Sequence, residues 1–108
     1  MHNDLSRTIE KAVHSLGFTL HKVILFGSRA KGESHPDSDW DILVVIEEPL
    51  TRETKKELWY KVFKALHCKF RMTAFDVIVK SKHEHEKDLQ VINTVSREAE
   101  EDGVVLFG

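Results

Sequence analysis

The chain has 108 residues, enough for one hydrophobic core and too few for two. Its 16 Lys and Arg against 18 Asp and Glu leave a net charge of −2 with His neutral, which excludes the strongly basic profile of a general nucleic-acid coat. Cys68 is the only cysteine, so no internal disulfide forms and a reducing cytoplasm is the expected setting.

From the N-terminus, Met1-His2-Asn3-Asp4 lacks the basic start and apolar run of a secretory leader. No apolar stretch approaches the ~20 residues that span a bilayer. Leu5, Ile9, Ala12, Val13 and Leu16 recur at helical spacing, with Asn3 or Asp4 as a cap and Gly17 as a stop, and predict a helix over about 4–16. Val23-Ile24-Leu25-Phe26 is a short apolar, partly β-branched run, hence a buried strand. It ends at Gly27-Ser28. The polar segment from Gly32 to Ser38 is rich in turn formers and reads as a loop.

Trp40 to Ile46 predicts a second strand, and Pro49 ends it. Thr51 can cap a helix in which Leu58, Trp59, Val62, Phe63 and Leu66 share one apolar face. Phe75 to Val79 predicts a third strand. Ser81 and Glu84 match a capping box, and Leu89, Ile92, Val95 and Ala99 lie along one stripe of a last helix that Gly103 stops. Val104-Val105-Leu106-Phe107 is an apolar tail, a strand or a docking segment. The order α-β-β-α-β-α specifies an α+β fold, with helices packed on one side of a small mixed sheet.

The chemistry concentrates in two places. Asp39 and Asp41 open the second strand, and side chains at i and i+2 share a face. Their Cα atoms lie about 6.6 Å apart, so the carboxylates can converge on one cation. Without a cation they raise each other's pKa. Mg²⁺ resolves that conflict, because it takes one or two carboxylates and fills its shell with water and phosphate oxygens. Asp76 interrupts the apolar third strand, where an unpaired charge is costly. If that strand lies beside the second, three carboxylates can serve two Mg²⁺ ions roughly 3.5–4 Å apart, and Asp76 is placed to help deprotonate a nucleophile.

Gly27 and Ser28 supply the other half. Glycine lets backbone approach a phosphate closely, and Ser28 offers a hydroxyl and an amide. A short helix over 28–31 would aim its N-terminus at anionic phosphates. Arg29 and Lys31 add positive charge, with Arg29 able to grip a phosphate through two nitrogens.

Taken together, Phe26-Gly27-Ser28-Arg29-Ala30-Lys31-Gly32, a short loop, and Ser38-Asp39-Trp40-Asp41-Ile42-Leu43-Val44 resemble the signature of the DNA polymerase β-like nucleotidyltransferase superfamily. The minimal nucleotidyltransferase branch is the best match, and the likeness extends over essentially the whole chain, including the strand around Asp76. The resemblance implies one nucleotidyltransferase domain over 1–108 that transfers a nucleoside monophosphate, AMP from ATP, to an acceptor hydroxyl with the help of Mg²⁺. It implies that Gly27 and Ser28 bind the triphosphate, that Asp39 and Asp41 bind metal, and that Asp76 is the third carboxylate. Lys31 departs from the arginine frequent in relatives, which keeps the charge but not the bidentate geometry.

Members of that branch commonly pair, often as antitoxin, with a helical HEPN partner that is an RNase toxin, and some adenylylate that partner on tyrosine. A silent site that neutralises the partner by contact is the alternative, and transfer to a small molecule is a third. A homo-oligomer stays open.

Two other motifs fail on chemistry. Gly27 and Gly32 have the spacing of a P-loop, but Glu33-Ser34 stands where Lys-Ser/Thr is required. Asp37, Asp39, Asp41 and Glu48 have the spacing of a calcium loop, but Ile42 occupies its obligatory glycine position. His83-Glu84-His85 and His67-Cys68 lack zinc spacing, and Cys68 reads as a small packing residue.

Overall fold

The computed structural model describes residues 2–27 and 39–108. The elements run α1 (His2–Ser15), β1 (Leu20–Phe26), β2 (Trp40–Ile46), α2 (Arg52–Lys69), β3 (Phe75–Ser81), α3 (Lys82–Asp88), α4 (Val95–Asp102) and β4 (Val104–Phe107). Among the described residues the strands form one mixed sheet in the order β3-β2-β1-β4. β1 pairs antiparallel with β2 and β4, while β2 and β3 run parallel. The fold is α+β, as the order of elements implies.

Local chemistry accounts for the ends of the helices. Gly17, at φ +83°, closes α1 where a side chain would be strained. Thr51 caps α2 by accepting from the Thr54 amide at 3.1 Å, and Thr54 Oγ1 accepts from the Thr51 amide at 2.9 Å, so two orphan donors are satisfied reciprocally. Ser81 accepts from the Glu84 amide. Glu84 itself turns to Lys55 Nζ at 2.7 Å and does not return to the cap, so only half of the expected capping box is present.

Two sequence expectations need correction. Helices cover both faces of the sheet, not one. On the first face Ile42, Val44 and Ile46 meet Leu5, Ile9 and Val13 of α1 and Leu58, Val62 and Leu66 of α2. On the second, Leu43 and Val45 meet Ile24, Phe26 and Ala99 of α4. All five residues from Ile42 to Ile46 are buried, and an apolar run without alternation belongs to a strand covered on both sides. The last helix is also broken in two. Asn93 adopts φ 67°, a conformation asparagine tolerates. Thr94 then starts α4 afresh, accepting from the Arg97 amide at 3.2 Å while donating to Asp88 O at 2.9 Å. Ile92, expected on the buried stripe, is 72% exposed at this turn.

Smaller differences follow from the edges. Trp59 lies on the rim of the α2 face, stacked on Phe63 at 4.9 Å, and its Nε1 donates to Val77 O of the edge strand β3 at 2.9 Å. Cys68 is exposed and does not fill the core. The apolar tail is an edge strand, β4. Among the described residues no helix is long and apolar enough to cross a membrane.

Candidate active site

The acidic side chains owe their meeting to strand register. Asp41 lies opposite Asp76 across the parallel β2–β3 pair. Residues 41, 43 and 45 share the second face with 76, 78 and 80, because side chains alternate along each strand and Leu43, Val45 and Ile78 pack together there. Asp39 stands just before the strand, and its charge reaches the Asp41 carboxyl. The pairing starts at the Trp40 amide, which donates to Ala74 O at 2.9 Å. Trp40 and Phe75 pack into the first face, so Asp41 and Asp76 turn to the second. β3 is an edge strand, and Asp76 is exposed there. It is thus an open group at the margin and not a buried charge.

Gly27 joins the site from the other neighbouring strand. Phe26 pairs with Asp41, and Gly27, at φ +78°, sits directly against the Asp41 carboxylate. A Cβ there would collide with Asp41 Oδ2 and come within 3.2 Å of Cγ. Glycine is therefore required twice, by backbone conformation and by close approach. Ser28, Arg29 and Lys31 lie outside the described residues, as does the expected loop to Ser38.

Burial pushes the Asp41 carboxyl above the usual aspartate range, and the charges of Asp76, Asp39 and Glu98 push it further. Glu98, from the first turn of α4, is the addition that sequence reasoning missed. No local motif marks it, since Asp41, the carboxyl it acts on, lies far away in sequence and the helix carrying it starts at an unexpected point. A partly buried polar network holds that helix on the sheet. Lys80 Nζ binds Asp88 Oδ2 at 2.6 Å and Ser96 Oγ at 2.9 Å. Lys22 Nζ and His85 Nε2 both meet Glu100 Oε1, at 2.9 and 2.8 Å. Burial alone would raise the Glu100 carboxyl, but the hydrogen bonds and charges of His85 and Lys22 outweigh it and hold the group below its ordinary range.

The site is thus an acidic surface of hard oxygen donors with a repulsion that a divalent cation would relieve. Among the described residues no three His, Cys, Asp or Glu side chains converge as a ready-made metal cage. An open arrangement that leaves coordination positions to water and substrate oxygens is the usual manner of holding Mg²⁺. Asp39, Asp41 and Asp76 fit such an ion by donor chemistry.

Comparison with known proteins identifies the family. A family model described as a nucleotidyltransferase domain matches residues 6–106. No curated protein matches the sequence. Among solved structures, the chain is similar to one from a toxin–antitoxin with AMP-PNP, at 26% identity and a TM-score of 0.58, covering 94% of this chain and 72% of that one. It is similar in fold to a chain of a mutant toxin–antitoxin MntA-HpeT, at 22% identity and TM-score 0.62, covering 100% and 73%. It shares the fold with a chain of the tri-AMPylated Shewanella oneidensis HEPN toxin in complex with MNT antitoxin, at 23% identity and TM-score 0.56, covering 100% and 73%.

Proposed function

The chain belongs to the nucleotidyltransferase domain family, and from that premise we propose that it transfers AMP from ATP to a hydroxyl, a tyrosine of a helical HEPN partner, with residues 1–108 acting as one domain. The observation that carries this reading is the register of Asp41 on Asp76, with Gly27 lying against Asp41 and the charge of Asp39 acting on the same carboxyl. A relative solved with AMP-PNP in a toxin–antitoxin and another solved with a tri-AMPylated HEPN toxin support the choice of nucleotide and acceptor.

Each group in the site then has a task. Gly27 leaves room for the Asp41 carboxylate, and Ser28, Arg29 and Lys31 bind the phosphates of the triphosphate. Asp39, Asp41 and Asp76 would hold Mg²⁺. When bound, the metal neutralises the triphosphate, lowers the pKa of the acceptor hydroxyl and stabilises the departing pyrophosphate. The acceptor oxygen forms a bond to the α-phosphorus as the bond from that phosphorus to the α,β-bridging oxygen breaks. Pyrophosphate leaves with the bond's electron pair, and the hydroxyl proton passes to Asp76. Asp76 is suited to this because it is exposed and stands on an edge strand that an acceptor can approach.

The test is incubation of the chain with α-labelled ATP, Mg²⁺ and a helical HEPN protein. Label should appear on tyrosine and vanish in the double variant Asp39→Asn, Asp41→Asn. Nucleotide binding without label transfer would refute the reading. Neutralisation of the partner that survives the double variant would assign the chain to inhibition by contact.

A further inference from the structure

The seam between α1 and α2 lies on the first face of the sheet, opposite Asp41, and the transfer reading leaves it unused. It forms an open groove of about 430 Å³. Lys11 on α1 and Lys61 and Lys69 on α2 rim it, all three exposed. No carboxylate lines it. Among the described residues none of the three lysines takes part in an ion pair. In a chain of net charge −2, this is a local reversal of sign.

The floor between the lysines is apolar and shallow. Ala12 and Ala65 contribute only methyl groups to the lining, so a neighbouring backbone can approach closely. The two hydroxyls are turned inward. Thr8 Oγ1 donates to Asp4 O at 2.7 Å and Ser15 Oγ donates to Ala12 O at 2.6 Å, so both side chains spend their protons on their own helix. The α1 stripe from Thr8 to Ser15 is about 11 Å long at the helical rise, the footprint of two turns of another helix. A seam between two packed helices is the shape into which a third helix settles.

We propose that this groove docks one amphipathic α-helix of a partner protein, its small aliphatic face on Ala12 and Ala65 and its acidic flanks against Lys11, Lys61 and Lys69. The inference rests on the partner reading above only for which protein supplies the helix. The groove is remote from the acidic face, so a docked partner leaves the nucleotide side open.

The test uses two synthetic helices of about 14 residues, each with an Ala/Leu face, one flanked by Glu and the other by Lys. Isotope-labelled chain is titrated with each, and amide shifts are followed by NMR. The Glu-flanked helix should shift the amides of Lys11, Ala12, Lys61 and Ala65 and bind on the order of tenfold more tightly than the Lys-flanked one. The triple variant Lys11→Glu, Lys61→Glu, Lys69→Glu should invert that preference. A second variant, Ala65→Trp, fills the floor and should weaken the Glu-flanked helix without changing charge. Equal binding of both helices, or shifts confined to other surfaces, overturns the proposal. Tighter binding of an RNA duplex to the same lysines assigns the groove to nucleic acid, and a concentration-dependent dimer lost in the triple variant assigns it to a second copy. Either result overturns it too. ATP binding in the same samples reports the transfer site separately, so failure here leaves that reading standing.

Discussion

Replacing Asp41 by Asn should make the metal-free protein more stable, while removing its nucleotide chemistry. Asp41 is held above its ordinary pKa by burial and by the charges of Asp76, Asp39 and Glu98, so at neutral pH its ionised form opposes folding. Adjacent strands lie about 4.8 Å apart. Two charges about 5 Å apart repel by about 0.8 kcal/mol in water and by about 3 kcal/mol at an effective dielectric of about 20. Asp76 is exposed, so screening favours the lower end, and relief of that pair is worth about 1 kcal/mol. For a chain of this length that raises Tm by about 4 °C.

The pH dependence has a definite sign. A raised folded-state pKa means that the native protein binds the proton more tightly. The wild type therefore has its relative advantage below the unfolded pKa and loses it as pH rises through the folded one. The gain from Asp41→Asn should be full above the raised pKa and vanish in acid. Calorimetry in chelator from about pH 3 to pH 8 brackets the ordinary aspartate range and measures this directly. Adding Mg²⁺ should stabilise the wild type and leave the variant unmoved. A variant less stable than wild type at pH 8, or a gain that grows towards acid, would refute the electrostatic account.

Other consequences are independent of that one. Gly27→Ala should cost at least about 1–2 kcal/mol from its positive φ alone, with an added penalty from the collision with Asp41 Oδ2; in an Asp41→Ala background the added part should disappear, which a double-mutant cycle by urea denaturation reads out. Glu100→Gln should destabilise by about 1–2 kcal/mol at neutral pH, because the depressed carboxyl stabilises the fold above its unfolded pKa; the deficit should close as pH falls through the depressed folded value, and coinciding melting curves in acid would check it. Trp59→Phe keeps the stack on Phe63 but leaves Val77 O on the sheet edge without its indole donor, so a loss of about 1 kcal/mol in chemical denaturation is expected.

What the sequence determined by itself was local. The glycine after an apolar run marked where β1 ends, and the caps at Thr51 and Ser81 fixed where helices begin. The unbroken apolar run from Ile42 to Ile46 also carried the information that both faces are covered, although the helical stripes alone argued for one. Tertiary structure decided the rest. No spacing rule says that β3 lies parallel to β2 or that Asp76 falls opposite Asp41, since register depends on how two distant segments bury their apolar faces together. The break at Asn93 and the arrival of Glu98 beside Asp41 are likewise long-range outcomes. The stripe from Leu89 to Ala99 suits one helix or two, and the polar contacts of Lys80 and Lys22 with α3 and α4 stabilise the broken form.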